Sequence, residues 1–178
     1  PYTTGIEEFT IETNPESLSQ AKLKMMKDAH VTRISIGVES TNDRILKSLN
    51  RNHTFTDVKN AVLRAEKVGI KEINLDLIIG LPNASSGLLK ADLSNLVALK
   101  VQHLSIYSLT VHENTMFGIQ SIKEPTGDKS RDLYNLVHDT LLKAGYTHYE
   151  VSNFALPGHE SKHNFTYWKD EEYYGVGL

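Results

Sequence analysis

Three carboxylates and one guanidinium in this 178-residue chain are spaced for chemistry. Glu12, Glu39 and Asp76 each fall at or near the end of an apolar run, and Arg51 follows the second run closely. Acids gathered in one place repel one another, so they stay ionised only beside cations, hydroxyls or a metal. Any one of them alone reads equally well as a helix cap or a solvated side chain. Three in matching positions point to a binding site. Arg51 has two readings as well, a two-pronged grip on a carboxylate or a solvated place at the surface.

Alternating strands and helices must position these residues. Strands are expected over Glu8–Glu12, Arg33–Glu39, Ile73–Ile79, Leu104–Thr110 and Thr147–Phe154. Between them, Ser17 is expected to cap a helix with Leu18, Ala21, Met25 and Ala29 on one face. Ser40-Thr41-Asn42-Asp43 would cap a short helix through Leu49, and Thr56 a longer one with Val58, Ala61, Val62 and Ala65 inward. Leu89, Leu93, Leu96 and Val97 share one helix face, as do Leu133, Leu136, Val137, Leu141 and Ala144. Successive strands lie about 30 residues apart, the length of a βα unit. The expected fold is therefore α/β, a partial, open TIM-like barrel of βα units over residues 1–155, with residues 156–178 as the start of a further region. The strands needed for closure are expected upstream of Pro1.

Returning helices must meet apolar side chains, so Ile34, Ile36 and Val38, like Ile73, Leu75 and Leu77, should face outward. Thr10, Glu12, Ser35, Gly37, Glu39, Asn74, Asp76, Ser105 and Tyr107 then face inward. Closed barrels normally fill their centre with branched apolar residues. A polar lumen implies a polar ligand, and binding is expected at the carboxyl ends of the strands. A molecule with an amine, a carboxylate, a ribose diol and a cationic centre would engage all four charged residues, and S-adenosylmethionine has each of these groups.

Composition narrows the alternatives. A formal charge of -3, with 19 Lys and Arg scattered along the chain, offers no footprint for nucleic acid or an anionic membrane surface. Apolar runs fall far short of the ~20 residues that cross a bilayer, and no signal peptide is visible, so the expected location is cytoplasmic. Cysteine is absent, which excludes thiolate metal sites and cysteine nucleophiles from these residues. His159 and His163 are spaced for zinc if helical, but Pro157-Gly158 implies a loop and no third ligand is evident. The remaining histidines show no metal spacing.

Several segments are familiar in order. Glu12-Thr13-Asn14-Pro15, Ser35-Ile36-Gly37-Val38-Glu39-Ser40, Asn50-Arg51-Asn52-His53, Asn74 through Pro82, and Tyr149 through Ala155 resemble successive motifs of radical S-adenosylmethionine proteins of the oxygen-independent coproporphyrinogen III oxidase group. The resemblance implies that Glu12, Glu39, Arg51 and Asp76 contact S-adenosylmethionine. Glu39 stands where that group usually has Gln, and a carboxylate can accept from ribose hydroxyls but cannot donate to anything. The group's three-cysteine motif, which holds a 4Fe-4S cluster, is not in these residues and is expected upstream, as is its Gly-rich segment.

His163-Asn164-Phe165-Thr166-Tyr167-Trp168 is similar to the HNxxYW motif of the heme-chaperone branch of that group. The resemblance implies heme or porphyrin as partner, with heme-accepting proteins beyond it. His163 would be an axial iron ligand, and Tyr167 and Trp168 flat surfaces for the macrocycle. The plain alternative makes Tyr167 and Trp168 core anchors and His163 a satisfied polar partner. The leading expectation is thus heme binding and transfer. The alternatives are oxidative decarboxylation of coproporphyrinogen III, or an unrelated α/β metabolite-binding or interaction module.

Overall fold

Four strands run parallel because each is followed by helix that returns the chain across the same face. They are β1 (Thr10–Thr13), β2 (Arg33–Glu39), β3 (Glu72–Ile79) and β4 (His103–Ser108), adjacent in that order. This computed structural model describes residues 5–176. The returns are α1 (Gln20–Asp28), then α2 (Asp43–Ser48) with α3 (Phe55–Lys67), then α4 (Ser86–Ala98). After β4 come a short α5 (Met116–Ile119) and a long α6 (Gly127–Lys143).

The sheet ends differently from the expected fifth parallel strand. Thr147–Phe154 is broken into β5 (Thr147–His148) and β6 (Asn153–Ala155), an antiparallel pair whose second member lies antiparallel to β4. The Asn153 N–H donates to the Glu150 carbonyl at 3.3 Å and turns the chain between them. The result is an open six-stranded sheet, ordered β1-β2-β3-β4-β6-β5. A last helix, α7 (Lys162–Trp168), follows.

The outward-facing set is as the pattern requires. Ile34, Ile36, Val38, Ile73, Leu75, Leu77 and Leu104 are fully buried with Val58, Ala61, Val62, Leu93, Leu96, Val137 and Leu141 from the helices. Each such aliphatic side chain contributes roughly 1.5–3 kcal/mol on burial. Two helix starts are shifted. Pro15–Ser17 forms a 3-10 turn, so α1 is capped by Ser19, which accepts from the Lys22 N–H. The inward residue of α1 is consequently Leu23, whereas Met25 is 69% exposed and Ala21 and Ala29 also face solvent. Helix α3 starts from Thr54 rather than Thr56, because Thr54 and Asp57 complete a reciprocal capping box.

Candidate cofactor site

Strand register sets the depth of each polar side chain. Glu12, Ser35, Asn74 and His103 form one row across β1 to β4, and Gly37, Asp76 and Ser105 form the next. The register then slips between Gly37 and Glu39, so that Glu39 pairs with Leu77. The three carboxylates are therefore staggered rather than level. Thr10, Glu12, Arg33, Ser35, Asn74, His103, Ser105 and Tyr107 line a cleft on the inner face, bounded also by Ser161, His163 and Asn164 beside it. The polar lumen is real, and Glu12 lies exposed within it.

Asp76 is the most constrained of the acids. The Ser35 hydroxyl donates to its Oδ2 at 2.9 Å and the Asn74 amide to its Oδ1 at 2.7 Å. Burial nevertheless pushes its carboxyl up to about 6; these donors oppose the shift and the nearby Glu39 adds to it. No cation of the chain pairs with Asp76 among the described ion pairs. A cationic or donor-rich ligand would supply what it lacks.

Glu39 sits in a backbone turn of its own. Its φ is +64°, unusual for a residue with a side chain, and the Ser40 N–H donates to the Val38 carbonyl at 2.7 Å across it. The slip keeps Val38 fully buried among the helices while Glu39 turns inward. Arg51 donates to the Glu39 carboxylate, which burial raises above its ordinary value and Arg51 lowers in part. Gly37 leaves room for this carboxylate: a Cβ there would lie 3.2 Å from Glu39 Oε1. Behind the turn, buried Asp92 accepts from the Ser40 hydroxyl at 3.1 Å and the Thr41 N–H at 2.8 Å, fixing the loop. Glu39 and Arg51 line a second cleft with Leu49, Ile78, Leu81, Leu109 and Phe117. The structure thus brings Glu39 and Arg51 into contact, sets Asp76 beside them, and leaves Glu12 in the deeper cleft with His163.

Helix α7 is tied to the amino-terminal side of the strands. Glu8 accepts from the Ser161 hydroxyl at 2.8 Å and from the N–H groups of Lys162 and His163, both at 3.1 Å. It also pairs with buried Arg33 at 3.1 Å. Burial alone would raise the Glu8 carboxyl; the His163 N–H, Arg33 and Ser161 hold it below its ordinary value instead. On the helix, the His163 and Tyr167 rings meet edge to face, 5.0 Å between centroids. Tyr167 is 48% and Trp168 58% exposed, so neither is buried in the core that the described residues form. His159 bonds Glu72 at 2.9 Å, and no cluster of three potential metal ligands occurs among the described residues.

With this geometry in view, the family is decided by residues 3–92, which match a model described as the Radical SAM superfamily. The chain belongs to that superfamily. Membership implies S-adenosylmethionine and a 4Fe-4S cluster as cofactors. The heme chaperone HemW of Lactococcus lactis is 44% identical over 97% of this chain and 46% of its own length. HemW of Escherichia coli is 38% identical over 96% of this chain and 45% of its own length. The chain spans about half the length of the relatives it matches. Coproporphyrinogen III oxidase (HemN) from Escherichia coli, a radical SAM enzyme, superposes with a TM-score of 0.77 at 21% identity, covering 91% of this chain and 38% of that one. That likeness is one of fold.

The inner face suits the radical SAM cofactor in donor type: a half-buried carboxylate without a paired cation, an acid held by an arginine, and a glycine that leaves room for that acid. The 178 residues hold no cysteine, so they offer no thiolate to a cluster. Sequence reasoning missed Glu8, Arg33, Asp92, His103 and Tyr149. For Arg33 and His103 a signal was present, because the period of two that selects Ser35 and Ser105 extends back to them. Glu8, Asp92 and Tyr149 act across long chain separations that no local pattern reveals.

Proposed function

We propose that this chain is the S-adenosylmethionine-binding part of a cytoplasmic heme chaperone, and that residues 156–178 begin its heme-binding region. The observation that carries the reading is the solvent-facing aromatic pair Tyr167 and Trp168 beside His163, in a chain whose relatives are named for heme chaperoning. An apolar pair left in water next to an imidazole is a surface suited to a flat iron macrocycle. Asp76 would take the cationic and hydroxyl groups of S-adenosylmethionine, Arg51 its carboxylate, and Glu39 and Glu12 its ribose and amine donors. When bound, the cluster and S-adenosylmethionine would supply one-electron radical chemistry. The residues described here orient the ligand and hold it away from water; the cluster's thiolates would come from outside these 178 residues.

Heme titration of the complete protein tests the reading. His163→Ala should weaken heme binding and change the absorption spectrum, and Asp76→Ala should weaken S-adenosylmethionine binding in calorimetry. Unchanged heme affinity and spectrum in His163→Ala would remove that ligand. Conversion of coproporphyrinogen III by the cluster-loaded complete protein would replace the chaperone reading with the oxidase one.

A further inference from the structure

A continuous line of hydrogen bonds joins Asp76 to α7. The Asn74 amide group donates one hydrogen to Asp76 Oδ1 and the other to the Ser35 hydroxyl, each at 2.7 Å. Both its hydrogens are thereby used, and the opposite amide orientation would set Asn74 Oδ1 against the Asp76 carboxylate. Asn74 Oδ1 must then accept from His103 Nδ1, 2.6 Å away. The donor at Nδ1 makes Nε2 of a neutral imidazole an acceptor, and the Tyr149 hydroxyl, 2.7 Å from it, donates there. Burial, with Arg33 adding to it, pushes His103 down to about 3, so the ring is neutral near pH 7. The two lone pairs of the Tyr149 oxygen receive the Ser161 N–H at 3.3 Å and the Asn164 amide at 3.2 Å. Every group on the path is satisfied, and every donor points toward Asp76.

Such a line has one arrangement. Shifting Asp76 to meet a ligand moves the Asn74 amide, and reorienting that amide removes the acceptor that fixes the His103 tautomer. At the far end, Tyr149 touches Ser161, which caps α7, and Asn164, which adjoins His163. We infer that His103 and Tyr149 are positioning residues that couple occupancy of the Asp76 site to the placement of α7, and so to the presentation of His163. The inference rests on the proposed ligand role of Asp76 but not on heme binding. A packed, directed network is the physical route; the coupling itself is what must be measured.

The test is hydrogen exchange of α7 amides in the complete, cluster-loaded protein with and without S-adenosylmethionine, no heme being added. In wild type the ligand should change exchange across residues 161–169 about fivefold or more. His103→Gln, which keeps one donor and one acceptor, should retain the effect. His103→Leu should lose it, and Tyr149→Phe, whose ring lies outside the cleft lining, should lose it while binding S-adenosylmethionine within about threefold of wild type. If His103→Leu does not fold, Tyr149→Phe, which lacks only one oxygen at a half-buried position, decides. No ligand-dependent change in wild type, whether or not the ligand binds, or an undiminished change in Tyr149→Phe, overturns the inference. The heme reading fails separately, through the His163→Ala titration.

Discussion

The Glu8 carboxylate accepts the backbone N–H of His163 at 3.1 Å, so a residue just ahead of the first strand holds the start of the last helix. The same carboxylate neutralises Arg33, whose side chain is only 5% exposed. Removing it leaves buried Arg33 with the Glu72 carboxylate at 3.6 Å and the His159 carbonyl at 2.9 Å, and strands three donors at the start of α7. Glu8→Ala should destabilise the protein by about 3 kcal/mol, with Glu8→Gln costing roughly half as much. Denaturant melts measure both. Because the folded-state Glu8 carboxyl lies below its ordinary value, its contribution is complete above the unfolded value and disappears as pH falls through the lower folded one.

Asp76 works in the opposite sense. Its folded-state carboxyl is raised to about 6 from 3.8, so the native protein holds a proton longer than the unfolded chain. Stability from this group is present below 3.8 and is lost as pH rises through about 6. Asp76→Asn should therefore be about 1–3 kcal/mol more stable than wild type near pH 8 and indistinguishable near pH 3.5. A pH series of thermal melts reads this directly, and an equal difference at both pH values would contradict it.

Gly37→Ala separates binding from folding. The added methyl would meet Glu39 Oε1 at 3.2 Å and Asn14 Oδ1 at 3.5 Å, both side-chain atoms able to yield. Stability should stay within about 1 kcal/mol of wild type, since alanine suits a strand better than glycine. S-adenosylmethionine should bind roughly three- to tenfold more weakly, because Glu39 and Arg51 must shift together. Calorimetry on the cluster-loaded complete protein measures the loss.

Tyr167→Ala and Trp168→Ala test whether exposure means function. Side chains 48% and 58% exposed support little packing, so each variant should melt within about 0.5–1 kcal/mol of wild type. Heme affinity should fall by about tenfold in each if the rings face the macrocycle. Large stability losses in the melts would restore a packing role.

Much of the fold could be read from the chain because parallel strands covered by helices alternate, as β2 does with Ile34, Ile36 and Val38 outward and Ser35 and Gly37 inward. The missed helix starts at Ser19 and Thr54 share a cause. Several Ser and Thr compete as caps within a few residues, and the 3-10 turn at Pro15–Ser17 and the Thr54–Asp57 capping box select among them. The broken fifth strand and the slip at Glu39 arise from backbone turns, which apolar periodicity does not encode. The strand positions of Glu12, Glu39 and Asp76 were legible; the residues that fasten the neighbouring segments, Asp92 behind Glu39 and Glu8 beneath His163, became visible only as contacts.

Asn74 gives the line from Tyr149 to Asp76 a particular character. A hydroxyl or an imidazole can take a proton on one side while releasing one on the other, but a carboxamide cannot do so at ordinary cost. Placed between His103 and the carboxylate, Asn74 is an insulator: it carries orientation and blocks conduction. A proton acquired by Asp76 stays in the cofactor cleft, and the opposite end of the barrel senses the change only as movement.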